Sequence, residues 1–206
     1  MAKASITLHK GDLPAGLDFG KSVAIDTETL GLNVNRDRLC LVQLSAGDGS
    51  AHLVQFDGHD YAAPRLKALL TDASVLKIFH YARFDVAVLE KNLGVVTTPL
   101  YCTKIASKLV RTYTDRHGLK DLAAELIGVE LSKQQQSSDW AASELSQQQL
   151  AYAASDVLHL HALKEKLDAM LDRDGRRTFA EAAFGFLNTR ARLDLAGFGE
   201  DDIFSH

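Results

Sequence analysis

Two carboxylates one residue apart, Asp26 and Glu28, close the apolar run Ser22-Val23-Ala24-Ile25-Asp26. On a strand, residues i and i+2 point to the same face, so the two acids stand side by side at the strand end. Hard divalent cations such as Mg²⁺ take oxygen ligands of this kind. Without a cation, carboxylates so close repel, and one tends to keep its proton. Taken alone, the pair reads better as a solvated strand end, because the chain carries 27 acidic residues. A third acid, Asp85, opens a helical stretch in His80-Tyr81-Ala82-Arg83-Phe84-Asp85. Alone it has a plain explanation, since an acid in the first helical turn complements the helix dipole. Tyr152 and Asp156 lie four apart in another helical stretch, so a phenol and a carboxylate can converge on one point. A half-buried tyrosine beside a surface aspartate would look the same.

In combination these signals say more. An Asp-x-Glu after an apolar strand, a later Asp opening a helix and a Tyr-x₃-Asp on a third segment, in that order, resemble the DEDDy branch of the DnaQ-like exonucleases, which includes ribonuclease D. The flanks FHYARFD, Asp139-Trp140 and Gln149-Leu150-Ala151-Tyr152-Ala153-Ala154-Ser155-Asp156-Val157 agree. The sister branch has a histidine five residues before the last aspartate, where Ala151 stands here. The resemblance implies a ribonuclease H-like α/β fold, a mixed central sheet with an antiparallel meander flanked by helices. It implies a metal-dependent 3′–5′ exonuclease that releases nucleoside 5′-monophosphates. Asp26, Glu28, Asp85 and Asp156 would hold two divalent metal ions, Mg²⁺ or Mn²⁺, with Asp26 shared between them. Tyr152 would orient the attacking water, because a phenol with a free pKa near 10 is a poor base. Leu32, four residues beyond Glu28, would wedge against a nucleobase, with Gly31 letting the backbone turn there. Thr29 and His80 complete the substrate-binding candidates. A core leucine after a turn and a satisfied structural histidine are the plain readings of Leu32 and His80.

The likeness narrows to the nanoRNase C family, over essentially the whole chain, including residues 132–140 and the tail 202–206. It implies cleavage of short single-stranded RNA, dinucleotides such as pGpG among them, and a homo-oligomer, an octamer in that family. Ribonuclease D adds helical nucleic-acid-binding repeats after its catalytic domain, and the 50 residues after Asp156 leave no room for them. The competing readings are a ribonuclease D-like or DNA-directed exonuclease acting on longer strands, and an inactive nucleic-acid-binding module. The latter would be expected to lack a metal ligand, and none is missing.

Composition points toward a small substrate. The formal charge is −4, whereas proteins that grip long duplexes carry a strong basic surplus to neutralise phosphates. No stretch approaches the roughly 18 apolar residues of a membrane span, and the first twenty residues have no secretory apolar core. Cys40 and Cys102 form no motif, which suits a reducing, cytoplasmic setting.

The elements that must position these residues begin with strands at 22–26, 39–45 and 51–56, joined by short turns into a meander, and a fourth at 75–79. Helices are expected at 64–70, with Pro64 at its start, and at 82–92, stopped by Gly94. Others follow at 103–111, 118–127, 146–170 and 176–193. The expected layout is one exonuclease domain over 1–206, with a C-terminal helical extension at about 174–206. The apolar residues of its last helix (Phe179, Ala182, Ala183, Phe184, Phe186, Leu187) would pack on the core or join subunits. Lys104, Lys108 and Arg111 would form a solvated basic stripe, and His159 and His161, two apart on a helix, do not face each other as zinc ligands would.

Overall fold

The computed structural model describes residues 4–132, 134–135 and 137–206; Met1–Lys3, Lys133 and Gln136 lie outside the described residues. The three meander strands appear as β2 (Ser22–Thr29), β3 (Leu39–Ser45) and β4 (Ser50–Gln55), paired antiparallel in sequence order. Every residue of β3 is buried, as expected of a central strand covered on both faces.

Two strands go beyond the sequence expectation. β1 (Ser5–Lys10) pairs parallel to β4 at one edge of the sheet, and β6 (Leu100–Cys102) pairs parallel to β5 (Leu76–Phe79) at the other. β5 in turn runs parallel to β2, giving the six-stranded order β1-β4-β3-β2-β5-β6. β1 is half-exposed, and β6 has only three residues, so neither carries the apolar run that marks an inner strand.

The helices are α1 (Pro64–Thr71), α2 (Ala82–Leu93), α3 (Thr103–Val110), α4 (Leu119–Leu122), α5 (Gln147–Leu158), α6 (Leu160–Arg173) and α7 (Arg177–Leu195). Gly94 caps α2 at φ 70°, a left-handed conformation that favours glycine. α4 continues as a π-helical turn, Ala123–Ile127. The long helix expected over 146–170 is two helices, broken at His159, whose φ −111° and ψ −3° leave the helical range. The break lets α5 lie on β2, β3 and β4 while α6 turns to pack on α3. A capping box starts α5: the Ser146 hydroxyl accepts from the Gln149 amide, and the Gln149 side chain accepts from the Ser146 amide.

α7 packs on the core. Ala180, Phe184, Leu187 and Ala191 are buried in the main apolar cluster, and the Phe184 ring lies 4.7 Å from that of Tyr101. Arg83 of α2 grips Asp194 through two hydrogen bonds of 2.6 and 2.7 Å. Phe179 stays 65% exposed, off the core face. The expected basic stripe is not one: Arg111, the residue that caps α3, is fully buried and its charge is paired with Glu125 of the π-helical turn. Cys40 and Cys102 are both buried and free.

Candidate active site

β2 ends between its neighbours β3 and β5, and its last turn of side chains opens into a cleft of about 620 Å³. Asp26 and Glu28 sit on this strand with the spacing that puts both on one face. α5 lies across the meander and brings Asp156 to meet them. One oxygen from each of Asp26, Glu28 and Asp156 falls within a set no more than 4.8 Å apart. Asp85 lines the same cleft from the first turn of α2 but stands outside that closest set. It is 3% exposed, and its carboxylate accepts a 2.7 Å hydrogen bond from the Thr27 hydroxyl on β2. It also lies in the first turn of α2, where an acid complements the helix dipole, so both readings of this residue hold together.

Electrostatics set this cluster apart from a solvated strand end. Burial, and then the charges of Asp85, Asp156 and Glu28, push Asp26 well above the usual carboxylate range. Burial and the charges of Asp156 and Asp85 raise Glu28 to about 9. Burial raises Asp85 and Asp156 to about 7 each. No Lys or Arg among the described residues forms an ion pair with any of the four. One buried and three half-buried acids crowded together, without a cationic partner among the described residues, are a costly arrangement, and bound divalent cations relieve that cost. The donor set therefore fits hard divalent cations, which prefer carboxylate oxygens.

Tyr152 lines the cleft one helical turn before Asp156. Burial, and next the charge of Asp156, hold its proton on more firmly than in a free phenol. Its ring rests near that of Trp140, with centroids 6.1 Å apart. His80 is pushed down to about 3 by burial and by Lys104, so it is neutral. The Thr103 hydroxyl donates to the Phe79 carbonyl, so His80 Nδ1–H donates to Thr103 at 2.9 Å. In this state His80 offers an acceptor at Nε2, and its plain structural role is met.

The segment after β2 decides the reading of Leu32. This leucine is 87% exposed and Leu30 is 55% exposed, both on the cleft, so neither is a core residue. Thr29 is engaged in shaping this segment: its hydroxyl donates to the Gly31 carbonyl at 2.5 Å. Gly31 has no left-handed φ, so the expected reason for a glycine does not hold. Space is the reason, because an added Cβ would collide with the Asp37 carboxylate that closes the loop. Gly118, Leu119 and Lys120 also line the cleft; Lys120 is the single Lys or Arg among the described lining residues. Two buried residues that the sequence did not mark also reach the acids: Thr27, already noted, and Gln43 of β3, whose amide donates to Asp26 at 3.3 Å. A polar residue inside the apolar run LCLVQLS was the available signal for Gln43.

Residues 12–172 match a family model described as a 3′-5′ exonuclease. The structure superposes on that of Brucella melitensis NrnC with a TM-score of 0.95, at 59% identity over 98% of each chain. Further structures of that protein, one bound to pGG and one with bound Mg²⁺, give TM-scores of 0.96 and 0.94, each at 57% identity over 98% of this chain and 99% of the other. The ribonuclease D of Granulibacter bethesdensis is 33% identical over 174 residues, 82% of this chain and 42% of that protein. The chain thus spans about two fifths of the length of the curated ribonuclease D relatives it matches. The structure of Escherichia coli RNase D, an exoribonuclease, aligns at a TM-score of 0.72 and 27% identity, over 84% of this chain and 45% of that one. The mixed sheet and its flanking helices are accordingly the ribonuclease H-like arrangement, and the chain belongs to the DnaQ-like 3′–5′ exonucleases, in the ribonuclease D-related group that contains NrnC.

Proposed function

We propose that this exonuclease hydrolyses short single-stranded RNA from the 3′ end, dinucleotides such as pGpG foremost, to nucleoside 5′-monophosphates. The carrying observation is the cleft itself: Asp26, Glu28 and Asp156 converge in a space of about 620 Å³, the size of a small-ligand pocket. The Brucella protein bound to pGG, at 57% identity, supports the same substrate class. A chain of formal charge −4 lacks the basic surplus that long strands call for. Exposed aromatic side chains at Phe179, Phe198 and Phe204 support assembly with further copies.

Asp26, Glu28, Asp85 and Asp156 would hold two divalent cations, Mg²⁺ or Mn²⁺, with Asp26 shared; Mg²⁺ is bound in one Brucella NrnC structure. Cations held there supply an activated water and charge relief for the departing 3′ oxygen. Tyr152 keeps its proton and so acts by donating a hydrogen bond that orients the water beside Asp156. Leu32 and Leu30 present apolar surface to a nucleobase. Lys120, which lines the same cleft, brings positive charge for a substrate phosphate.

The test is incubation of pGpG with Mg²⁺ and chromatography of the products. Two equivalents of 5′-GMP are expected, with EDTA stopping the reaction. Asp26→Asn should lower turnover by about a thousandfold or more while the circular dichroism spectrum is kept. Products bearing a 3′ phosphate, or turnover that persists in EDTA, would contradict the reading.

A further inference from the structure

We propose that Gln43 is a positioning residue: its side-chain amide fixes the Asp26 carboxylate for cation binding, an inference that rests on the metal-dependent reading above. Asp26 and Gln43 are direct partners in the antiparallel register of β2 and β3, so their side chains stand on the same face of the sheet. Gln43 is fully buried, and its Nε2 donates to Asp26 Oδ2 at 3.3 Å. That bond engages one oxygen of the carboxylate and restricts its rotation.

The chemistry of the residue matters. An amide reaches the carboxylate, donates to it and carries no charge. A lysine or arginine there would neutralise Asp26 and compete with a cation. A glutamate would add a fifth acid to the cluster. A neutral donor is the class that orients Asp26 while leaving its charge for the metal.

Packing alone does not account for a glutamine here. Its neighbours on β3, Val42 and Leu44, are fully buried hydrophobics, as is Leu41 two residues earlier on its own face. Gln43 Oε1 is buried with no hydrogen-bond partner among the described residues. A buried acceptor without a donor costs free energy that an apolar side chain of the same size would avoid. The residue therefore keeps an unfavourable atom in the core, and the polar contact it makes in return is the one to Asp26.

The test compares wild type with Gln43→Met, which keeps length and volume and removes the amide, and with Gln43→Asn, which keeps the amide but shortens its reach. Mn²⁺ affinity is read by electron paramagnetic resonance without RNA, alongside the melting temperature of the metal-free protein. The expected result is a Kd for Mn²⁺ raised about 10- to 100-fold in both variants. Gln43→Met should melt no lower than wild type, and its kcat/KM on pGpG should recover as Mg²⁺ is raised. Unchanged Mn²⁺ affinity in a folded variant would overturn the role of Gln43 alone. Failure of wild type itself to bind Mn²⁺ would instead overturn the metal reading beneath it.

Discussion

At the scale of single residues, the cluster stores a conflict that its ligands resolve. Glu28 is raised to about 9, and Asp85 and Asp156 to about 7, chiefly by burial, against about 4 in an unfolded chain. A carboxyl with a raised folded pKa contributes stability that is full below its unfolded pKa and is lost as pH rises through the folded one. The metal-free protein should therefore lose melting temperature as pH climbs from about 4 to 9, and saturating Mg²⁺ should remove most of that loss. Scanning calorimetry across pH, with EDTA and with Mg²⁺, checks this; parallel curves would mean that the acids do not share a cation. For Tyr152, replacement by Phe should lower kcat by about 10²-fold or more with KM nearly unchanged, and steady-state kinetics showing only a raised KM would remove it from the chemistry. The five charged and phenolic candidates were legible in the sequence because their order and spacing are rare together. Thr27 and Gln43 were not: a glutamine inside an apolar run signals a buried polar group, and a threonine in a strand not even that, until the fold shows which carboxylate each touches.

At the scale of elements, the segment after β2 is the part shaped for substrate. Thr29 and Asp37 hold it, while Leu32 projects from it with 87% of its surface exposed. Leu32→Ala should raise KM for a dinucleotide about tenfold, near 1.4 kcal/mol of lost apolar contact, and leave the melting temperature within a degree or so of wild type. A drop in stability with KM unchanged would return Leu32 to a packing role. The inner strands and the ends of α2 could be read from apolar runs and from Gly94, since those signals are local. The division between α5 and α6 could not. Apolar residues continue through His159 at helical spacing, and the break is imposed by what each helix packs against, the sheet for one and α3 for the other. Strands β1 and β6 escaped for the opposite reason: an edge position and a length of three residues leave too little pattern to see.

At the scale of the molecule, α7 lies beyond the matched exonuclease segment 12–172 yet shares its main apolar cluster. One folding unit reaching through residue 195 predicts that Phe184→Ala, a buried ring against Tyr101, costs about 3 kcal/mol or more of global stability. Urea denaturation should show that loss in a single transition, and a separate early transition would mark α7 as an appended piece. Which strands this cleft accepts decides the function of the molecule. The most direct measurement is kcat/KM for 5′-labelled RNA from two to seven nucleotides, each with Mg²⁺ and with EDTA. The account predicts metal-dependent loss of the dinucleotide far ahead of every longer strand. Shortening of all lengths at similar rates would contradict it and place the chain with exonucleases of long RNA.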